Sequence, residues 1–187
     1  MAQIGEEIAS PAHGRIIFRT TSEESEGELL ELDAFLPPER DWHDAHYHPS
    51  QEERYQVAWG TVVIRTHGEE REFGQGDTFT LPAGTWHTIH NSGPGQARLI
   101  WQSRPALKTE EFVETLWSLG RDGKTNKAGM PGLLQRIVLY REYQEEVVQT
   151  FPPRIAQRLS FVLLSPIARI FKVKPSYNGV EREEDGL

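Results

Sequence analysis

The chain has 187 residues, of which 37% are hydrophobic, and a formal net charge of −8 at pH 7. This length suits one domain with a sizeable core. The absence of cysteine excludes disulfides and thiolate ligands, and the acidic balance argues against a nucleic-acid partner.

The charge is unevenly distributed along the chain. Residues 1–105 carry 17 acidic and 8 basic side chains and no lysine, whereas residues 106–187 carry 11 acidic and 12 basic ones. The longest mostly apolar run is too short to span a bilayer, so no transmembrane segment is expected. The first ten residues lack the basic and apolar regions of a secretory signal. We therefore expect a cytoplasmic protein.

Short runs of β-branched and aromatic residues, separated by turn residues, predict strands before Pro105. The predicted strands are 14–20, 27–36, 43–48, 52–59, 61–66, 69–73, 77–82, 85–91 and 97–103. This pattern is typical of an antiparallel sandwich or barrel. We expect residues 1–13 to form an N-terminal arm and residues 14–105 a β-barrel.

The pattern becomes helical in residues 106–187, which we expect to form a helical extension. Thr109 is predicted to cap a first helix that ends at Gly120. Pro131 is predicted to open a second helix, whose apolar residues are spaced along one face.

A third helix is predicted after Pro153, with Pro166 stopping or kinking it. Ile155, Leu159 and Val162 lie on one face of this helix. We expect that face to pack against the barrel or a twin subunit, which makes a homodimer the expected assembly. A membrane surface is the alternative, because the segment is poor in acidic residues and carries arginines.

Two segments carry the side chains of a candidate metal site. Successive side chains of a strand point to opposite faces, so His46 and His48 share a face. Glu53 and Tyr55 share a face of the next strand, and His87 lies on a later one. Neutral imidazole and carboxylate are ligands that divalent metals accept. The pattern predicts a metal inside a small barrel.

These segments resemble the two motifs of the cupin family, G-x5-H-x-H-x3,4-E-x6-G and G-x5-P-x-G-x2-H-x3-N. The second motif is complete from Gly76 to Asn91. The first matches from His46 to Gly60 and departs only at its start, where Arg40 replaces the leading glycine. The resemblance covers roughly residues 14–105. It implies a cupin-type jelly roll whose metal ligands are His46, His48, Glu53 and His87.

Three other residues compete for roles at this site. Glu52 is a rival for Glu53, because the motif tolerates both spacings. His90 has the opposite parity to His87, so it is expected to face outward. His43 is expected in a loop, with a supporting or substrate-contacting role as the alternative.

The ligand set constrains the choice of metal. Three neutral imidazoles and one carboxylate give a divalent ion a net charge of about +1 and leave two of six positions open. Zinc would be nearly saturated by four ligands, so iron, manganese or nickel is favoured, with zinc as the alternative. Each chain is expected to hold one ion.

The expected pocket is largely apolar. Its predicted lining residues are Tyr55, Trp59, Trp101 and Asn91, the last of which is expected to support the site or the barrel wall. Such a pocket suits a small organic ligand or substrate. Because no acid–base pair is evident beside the ligands, the pattern favours a metal-dependent dioxygenase or other oxidoreductase, in line with one branch of the cupins.

Two other functions are compatible with the sequence. A sensory or ligand-binding cupin would hold the metal without turnover. A metal-dependent isomerase would need a further acid or base in the pocket, for which Glu31 and His43 are the candidates.

Overall fold

The computed structural model describes residues 2–38, 40–41 and 45–179; His43 lies outside the described residues. The described part of the chain contains twelve strands and three helices. The strands are β1 (Glu7–Ser10), β2 (Gly14–Thr20), β3 (Leu30–Leu36), β4 (Arg40–Asp41), β5 (His46–Tyr47), β6 (Glu52–Trp59), β7 (Val62–Thr66), β8 (Glu69–Phe73), β9 (Thr78–Leu81), β10 (His87–Asn91), β11 (Ala97–Arg104) and β12 (Val148–Gln149). The helices are α1 (Thr109–Arg121), α2 (Leu133–Glu142) and α3 (Arg154–Ile170).

The strands form two antiparallel sheets. One has the order β1-β2-β3-β11-β6-β9, and the other has the order β12-β5-β10-β7-β8 with β4 paired to β10. The prediction of a mainly β, antiparallel fold with C-terminal helices is therefore confirmed, while closure into a barrel stays a prediction. The expected N-terminal arm contributes β1, which pairs with β2.

Alternation of side chains determines which residues enter the core. Along β11, Ala97, Leu99, Trp101 and Ser103 are buried, and the residues between them are more exposed. The turn at Gly60 requires both a positive φ of 86° and a close approach, because a Cβ there would lie 2.7 Å from the Cβ of Ala97. Only glycine satisfies both conditions without strain.

Trp59 does not face the core, and the prediction that it lines the pocket is wrong. Leu99 pairs with Val57, but its neighbour Arg98 pairs with Trp59, so Ala58 is an extra residue on β6. Such a β-bulge reverses the parity of the residues that follow it. Trp59 is 40% exposed on the outer face, under the guanidinium of Arg98 at 5.0 Å.

Helix α1 is part of the same core as the sheets. Val113, Leu116 and Trp117 are buried in one cluster with apolar side chains of both sheets. Thr109 does not cap the helix: Lys108 occupies the N-cap position, and the Thr109 hydroxyl accepts a hydrogen bond from the Gln51 amide at 2.7 Å.

Gly120 does not end α1, which continues to Arg121. A Cβ at Gly120 would collide with the Ser10 side chain, so this glycine allows the helix to approach the start of the chain closely. Its role is therefore packing rather than termination.

Helix α3 also departs from expectation. It continues through Pro166 to Ile170. Ile155, Leu159 and Val162 are all more than half exposed, so the predicted packing of this face on the rest of the chain is wrong. The homodimer stays a prediction. No helix within the described residues is long and apolar enough to cross a bilayer.

We propose that the part of the extension from α1 to β12 folds with the sheets as one unit, which a truncation tests. A chain ending at Pro105 keeps every predicted ligand but loses Val113, Leu116 and Trp117 from the core. Burial of such side chains stabilises a fold by about 1.5–3 kcal/mol each. We therefore expect this truncation to be largely insoluble on expression, as measured by fractionation of the lysate.

A truncation ending at Thr150 is the matched control, because it keeps α1, α2 and β12 and removes α3 and the residues that follow it. That protein should remain folded by circular dichroism. A monodisperse, folded protein from the shorter truncation would contradict the single-unit proposal.

Candidate metal centre

Three histidines come together at the ends of short strands in one sheet. His46 on β5 pairs directly with His87 on β10. His48 follows β5, where its carbonyl accepts a hydrogen bond from the Gly84 N–H at 2.8 Å. The positive φ of 78° at Gly84 permits this turn. The turn that precedes His87 thus also holds the backbone of His48.

The three imidazoles form a compact, buried cluster. One ligand atom from each of His46, His48 and His87 lies within 4.8 Å of the others. Their ring centroids are 4.5 to 5.6 Å apart. All three side chains are buried. This group could hold a metal ion.

Glu53 reaches the cluster from β6, in the opposite sheet. Its Oε1 lies 3.2 Å from Nε2 of His48, and its Oε2 lies 3.3 Å from Nε2 of His87. The side chain is 1% exposed, whereas the rival Glu52 faces solvent. The candidate site therefore joins the two sheets.

Backbone carbonyls fix the tautomers of two histidines. Nδ1–H of His48 donates to the carbonyl of Glu146 at 2.6 Å, and Nδ1–H of His87 donates to the carbonyl of Thr85 at 3.0 Å. In the neutral rings, Nε2 of each is then a lone-pair acceptor directed at Glu53. Carbonyl partners of this kind orient metal-ligating histidines.

The inward atoms consequently lack donors. Nε2 of His48, Nε2 of His87 and Oε2 of Glu53 are buried and have no hydrogen-bond partner. Three acceptors that face one another in a buried site require a proton or a cation between them. These three atoms are all possible metal ligands, and together they fit a divalent ion.

Coupling between these groups shifts their pKa values. Burial alone would lower the pKa of His48, but the negative charge of Glu53, 3.2 Å away, and the hydrogen bond to the Glu146 carbonyl raise it. Burial alone would raise the pKa of Glu53, but His48 and His87 hold that pKa well below its usual range. Glu53 is therefore a carboxylate at neutral pH.

Two predicted pocket aromatics contact Glu53. Nε1–H of Trp101 donates to Oε1 of Glu53 at 2.9 Å. Burial and then the charge of nearby Glu53 raise the pKa of Tyr55 well above its ordinary value, so its hydroxyl stays protonated. Both side chains line a cavity of about 50 Å³ beside the histidines.

Asn91 does not line the cavity, so its predicted place in the pocket is wrong, whereas its contacts agree with the other expected role, support of the wall of the fold. Its amide donates to the carbonyls of Leu36, Pro37 and Gly95, and its Oδ1 accepts from the Gly93 N–H. These bonds hold together the chain segments at the other end of β10, four residues from His87. Asn91 is therefore a structural residue.

The lining residues that were not predicted from the sequence include His13 and Glu146. His13 and Glu146 are both buried and both line the cavity. His13 lies just before β2, where its Nδ1 is 3.0 Å from the Ser10 hydroxyl. Neither residue belongs to a motif, and no pattern in the sequence indicates that these distant positions meet. Glu31, the expected acid, instead pairs with Arg19 and Gln102 away from the cavity.

The cavity continues into a larger groove. Met130, Tyr140 and Gln149 line both the cavity and a groove of about 570 Å³ formed by α2, α3 and the segment between them. Apolar side chains form most of its wall. Arg136 also lines the groove, and its Nε is buried without a hydrogen-bond partner.

Comparison with known proteins agrees with this architecture. Residues 34–103 match the family model of the cupin domain. The tetracenomycin polyketide synthase protein TcmJ of Streptomyces glaucescens is 32% identical over 67 residues, which are 36% of this chain and 45% of that protein. The chain thus spans less than half the length of this relative.

Two solved structures are similar to part of this chain. A predicted oxalate decarboxylase from Thermotoga maritima is 21% identical with a TM-score of 0.49, over 56% of this chain and 99% of that one. An RmlC-like cupin from Shewanella frigidimarina is 17% identical with a TM-score of 0.49, over 57% and 88%.

The match over residues 34–103 confirms the predicted resemblance to cupins for this part of the chain.

Proposed function

We propose that His46, His48, Glu53 and His87 bind one divalent metal ion per chain. The observation that carries this proposal is the convergence of buried acceptor atoms that have no donor. Trp101 and the two backbone carbonyls support it, because they hold the ligands in place from outside. Such supporting contacts typically change metal affinity by about 10–100-fold when they are removed.

The proposed ion is iron, manganese or nickel. A ligand set of three imidazoles and one carboxylate satisfies zinc almost fully, whereas the other ions accept further ligands. A free position on the ion is what a catalytic site needs. Zinc remains the alternative for a site that binds a small ligand without turnover or only stabilises the fold.

We propose further that the protein is a metal-dependent oxygenase acting on a small, largely apolar organic molecule. The oxygen chemistry of such an enzyme is supplied by its redox-active ion. The chain's own contribution is an aromatic wall formed by Tyr55 and Trp101, and the apolar groove beyond it. Similarity to a polyketide synthase protein favours an aromatic or polyketide-like substrate.

The surroundings of Arg136 favour a substrate that carries an acidic group. Among the described residues it has no carboxylate partner, and its buried Nε requires an acceptor. A carboxylate or enolate oxygen of a ligand in the groove would supply one. The proposed substrate is therefore an apolar acid or an enolisable carbonyl compound.

A metal-dependent isomerase is the second candidate. His13 and Glu146 favour it, because they place a further base and acid beside the histidine cluster. Burial, which outweighs the hydrogen bonds from Lys108 and from its own N–H, raises the pKa of Glu146. A carboxyl group with a raised pKa is suited to proton transfer.

One panel of phenolic and 1,3-dicarbonyl compounds distinguishes these functions. With the iron form under air, an oxygenase should consume O2 in proportion to compound turned over, as measured with an oxygen electrode. An isomerase should instead exchange carbon-bound protons in D2O without O2 uptake, as measured by NMR. Glu146→Gln should abolish that exchange.

Two variants sharpen this experiment. Arg136→Gln should weaken the binding of acidic compounds and leave neutral ones unaffected. Trp59→Ala is the matched control, because Trp59 lies on the outer face and should change neither binding nor turnover. Saturable binding without O2 uptake or proton exchange would overturn both enzymatic proposals and leave the ligand-binding module.

A further inference from the structure

Helix α3 presents an apolar face that none of the described residues covers. One side packs against the rest of the protein through Ser165 and Ala168, which are buried. The opposite side carries Ile155, Leu159, Val162, Leu163 and Ile170, and each of these is more than half exposed. Phe151 and Phe171 extend the exposed surface beyond both ends of the helix. Contiguous apolar patches of this kind mark interaction sites.

The same segment carries only positive charge. Residues 147–179 contain five basic side chains and no acidic one, in a chain whose net charge is −8. The basic residues are Arg154, Arg158, Arg169, Lys172 and Lys174, all exposed. At 3.6 residues per turn, the three arginines lie along one edge of the apolar face. None of the five pairs with a carboxylate of the described residues.

From this combination we propose that α3 docks flat on an anionic lipid surface. Interfacial helices bury an apolar face in the boundary between headgroups and acyl chains, while basic residues contact anionic headgroups. With 17 residues, α3 lies along the surface rather than across the bilayer. Docking covers the exposed apolar face and provides partners for the basic edge in one step.

Charge argues against a second copy as the occupant. Twofold pairing places the same patch on both sides of an interface. Two α3 faces would then bring two all-basic segments together without an acidic residue from either. An anionic membrane involves no such repulsion, because its negative charge complements the positive charge of the helix. This docking is independent of the proposed metal chemistry.

Sedimentation with large unilamellar vesicles tests the proposal on the full chain. Phosphatidylcholine vesicles containing 30% phosphatidylserine should bind the protein, and pure phosphatidylcholine vesicles should bind it at least about tenfold more weakly. Raising the salt concentration to 0.5 M should release most of the bound protein, because surface electrostatics are screened.

Two variants separate the contributions of the apolar face and the basic edge. Ile155→Ser combined with Leu159→Ser should reduce binding by about tenfold or more, because each side chain buries apolar area in the lipid. Arg158→Gln combined with Arg169→Gln should give a similar loss and remove most of the salt dependence. Ile4→Ser is the control, since Ile4 is an exposed apolar residue far along the chain from α3.

Two results would overturn the proposal. One is equal binding to neutral and anionic vesicles. The other is no binding to either kind of vesicle. A dimer in analytical ultracentrifugation that Ile155→Ser with Leu159→Ser converts to a monomer would then assign the apolar face to a twin subunit. All positions changed are exposed, so circular dichroism should show folded protein throughout.

Discussion

Replacing His87 by alanine is expected to reduce bound metal from about one equivalent per chain to less than about a tenth, a loss consistent with removal of one of four ligands. His87 is buried and its Nε2 faces Glu53, so the alanine variant loses one of the four predicted ligands from the centre of the cluster. Elemental analysis of protein from metal-supplemented cultures measures the change. Circular dichroism should show an intact fold, because the apolar core does not depend on this side chain.

His90→Ala is the matched control. His90 lies on the same strand as His87 but with the opposite parity, and it pairs with Val63. Its replacement should leave the metal content unchanged. A full equivalent of tightly bound metal in the His87→Ala protein would show that the ligand assignment is wrong. A large loss in His90→Ala would show instead that the register is displaced by one residue.

The sequence predicted those parts of the site that depend on local alternation. His87, Ile89 and Asn91 share a buried face because they lie two residues apart on a regular strand. The placement of His46 opposite His87 follows from the same rule, once the two strands pair. Glu53 shares the parity of Tyr55, and the structure buries both of them and exposes Glu52.

Parity failed where the backbone is irregular. The bulge at Ala58 places Trp59 on the outer face of the sheet. No residue type in that stretch predicts a bulge. Asn91 has the buried parity, but it is too far along β10 from His87 to contact the cavity. Strand alternation predicts which face a residue occupies and not its position along the strand.

Contacts between segments that are far apart in the chain could not be predicted from the sequence either. Glu146 supplies the carbonyl that orients His48 from 98 positions along the chain. Thr109 has a good capping residue type, yet its hydroxyl binds Gln51 instead. Such tertiary contacts override local propensity. A buried amide without hydrogen bonds costs more free energy than a helix end, whose N–H groups can bond to water.

Helix α3 illustrates the same limit for periodicity. The spacing of Ile155, Leu159 and Val162 correctly predicted a helix with an apolar face. Periodicity says that such a face must be covered and does not identify what covers it. Only the position of the helix in the fold shows that this face points away from the chain.

Removing the metal should lower the thermal stability of the protein, and Glu53→Gln should abolish this dependence. An ion present at about 100 times its dissociation constant stabilises the folded state by about 2.7 kcal/mol. For a chain of this size that corresponds to a change in Tm of about 5–11 °C. We expect a decrease of this order when a chelator is added to wild-type protein, measured by differential scanning fluorimetry with metal restored as the reference.

Glu53→Gln keeps the size of the side chain and removes its charge. With three neutral imidazoles and no carboxylate, the site loses its only anionic ligand, so the variant should have nearly the same Tm with and without metal. Trp101→Phe is the graded control, because it removes only the hydrogen bond to Oε1 of Glu53. The Trp101→Phe protein should still have a higher Tm with metal than without, but it should need a higher metal concentration to reach the full increase. If Glu53→Gln retained the wild-type shift, His46, His48 and His87 alone would hold the ion, and Glu53 would be a neighbour of the site rather than a ligand.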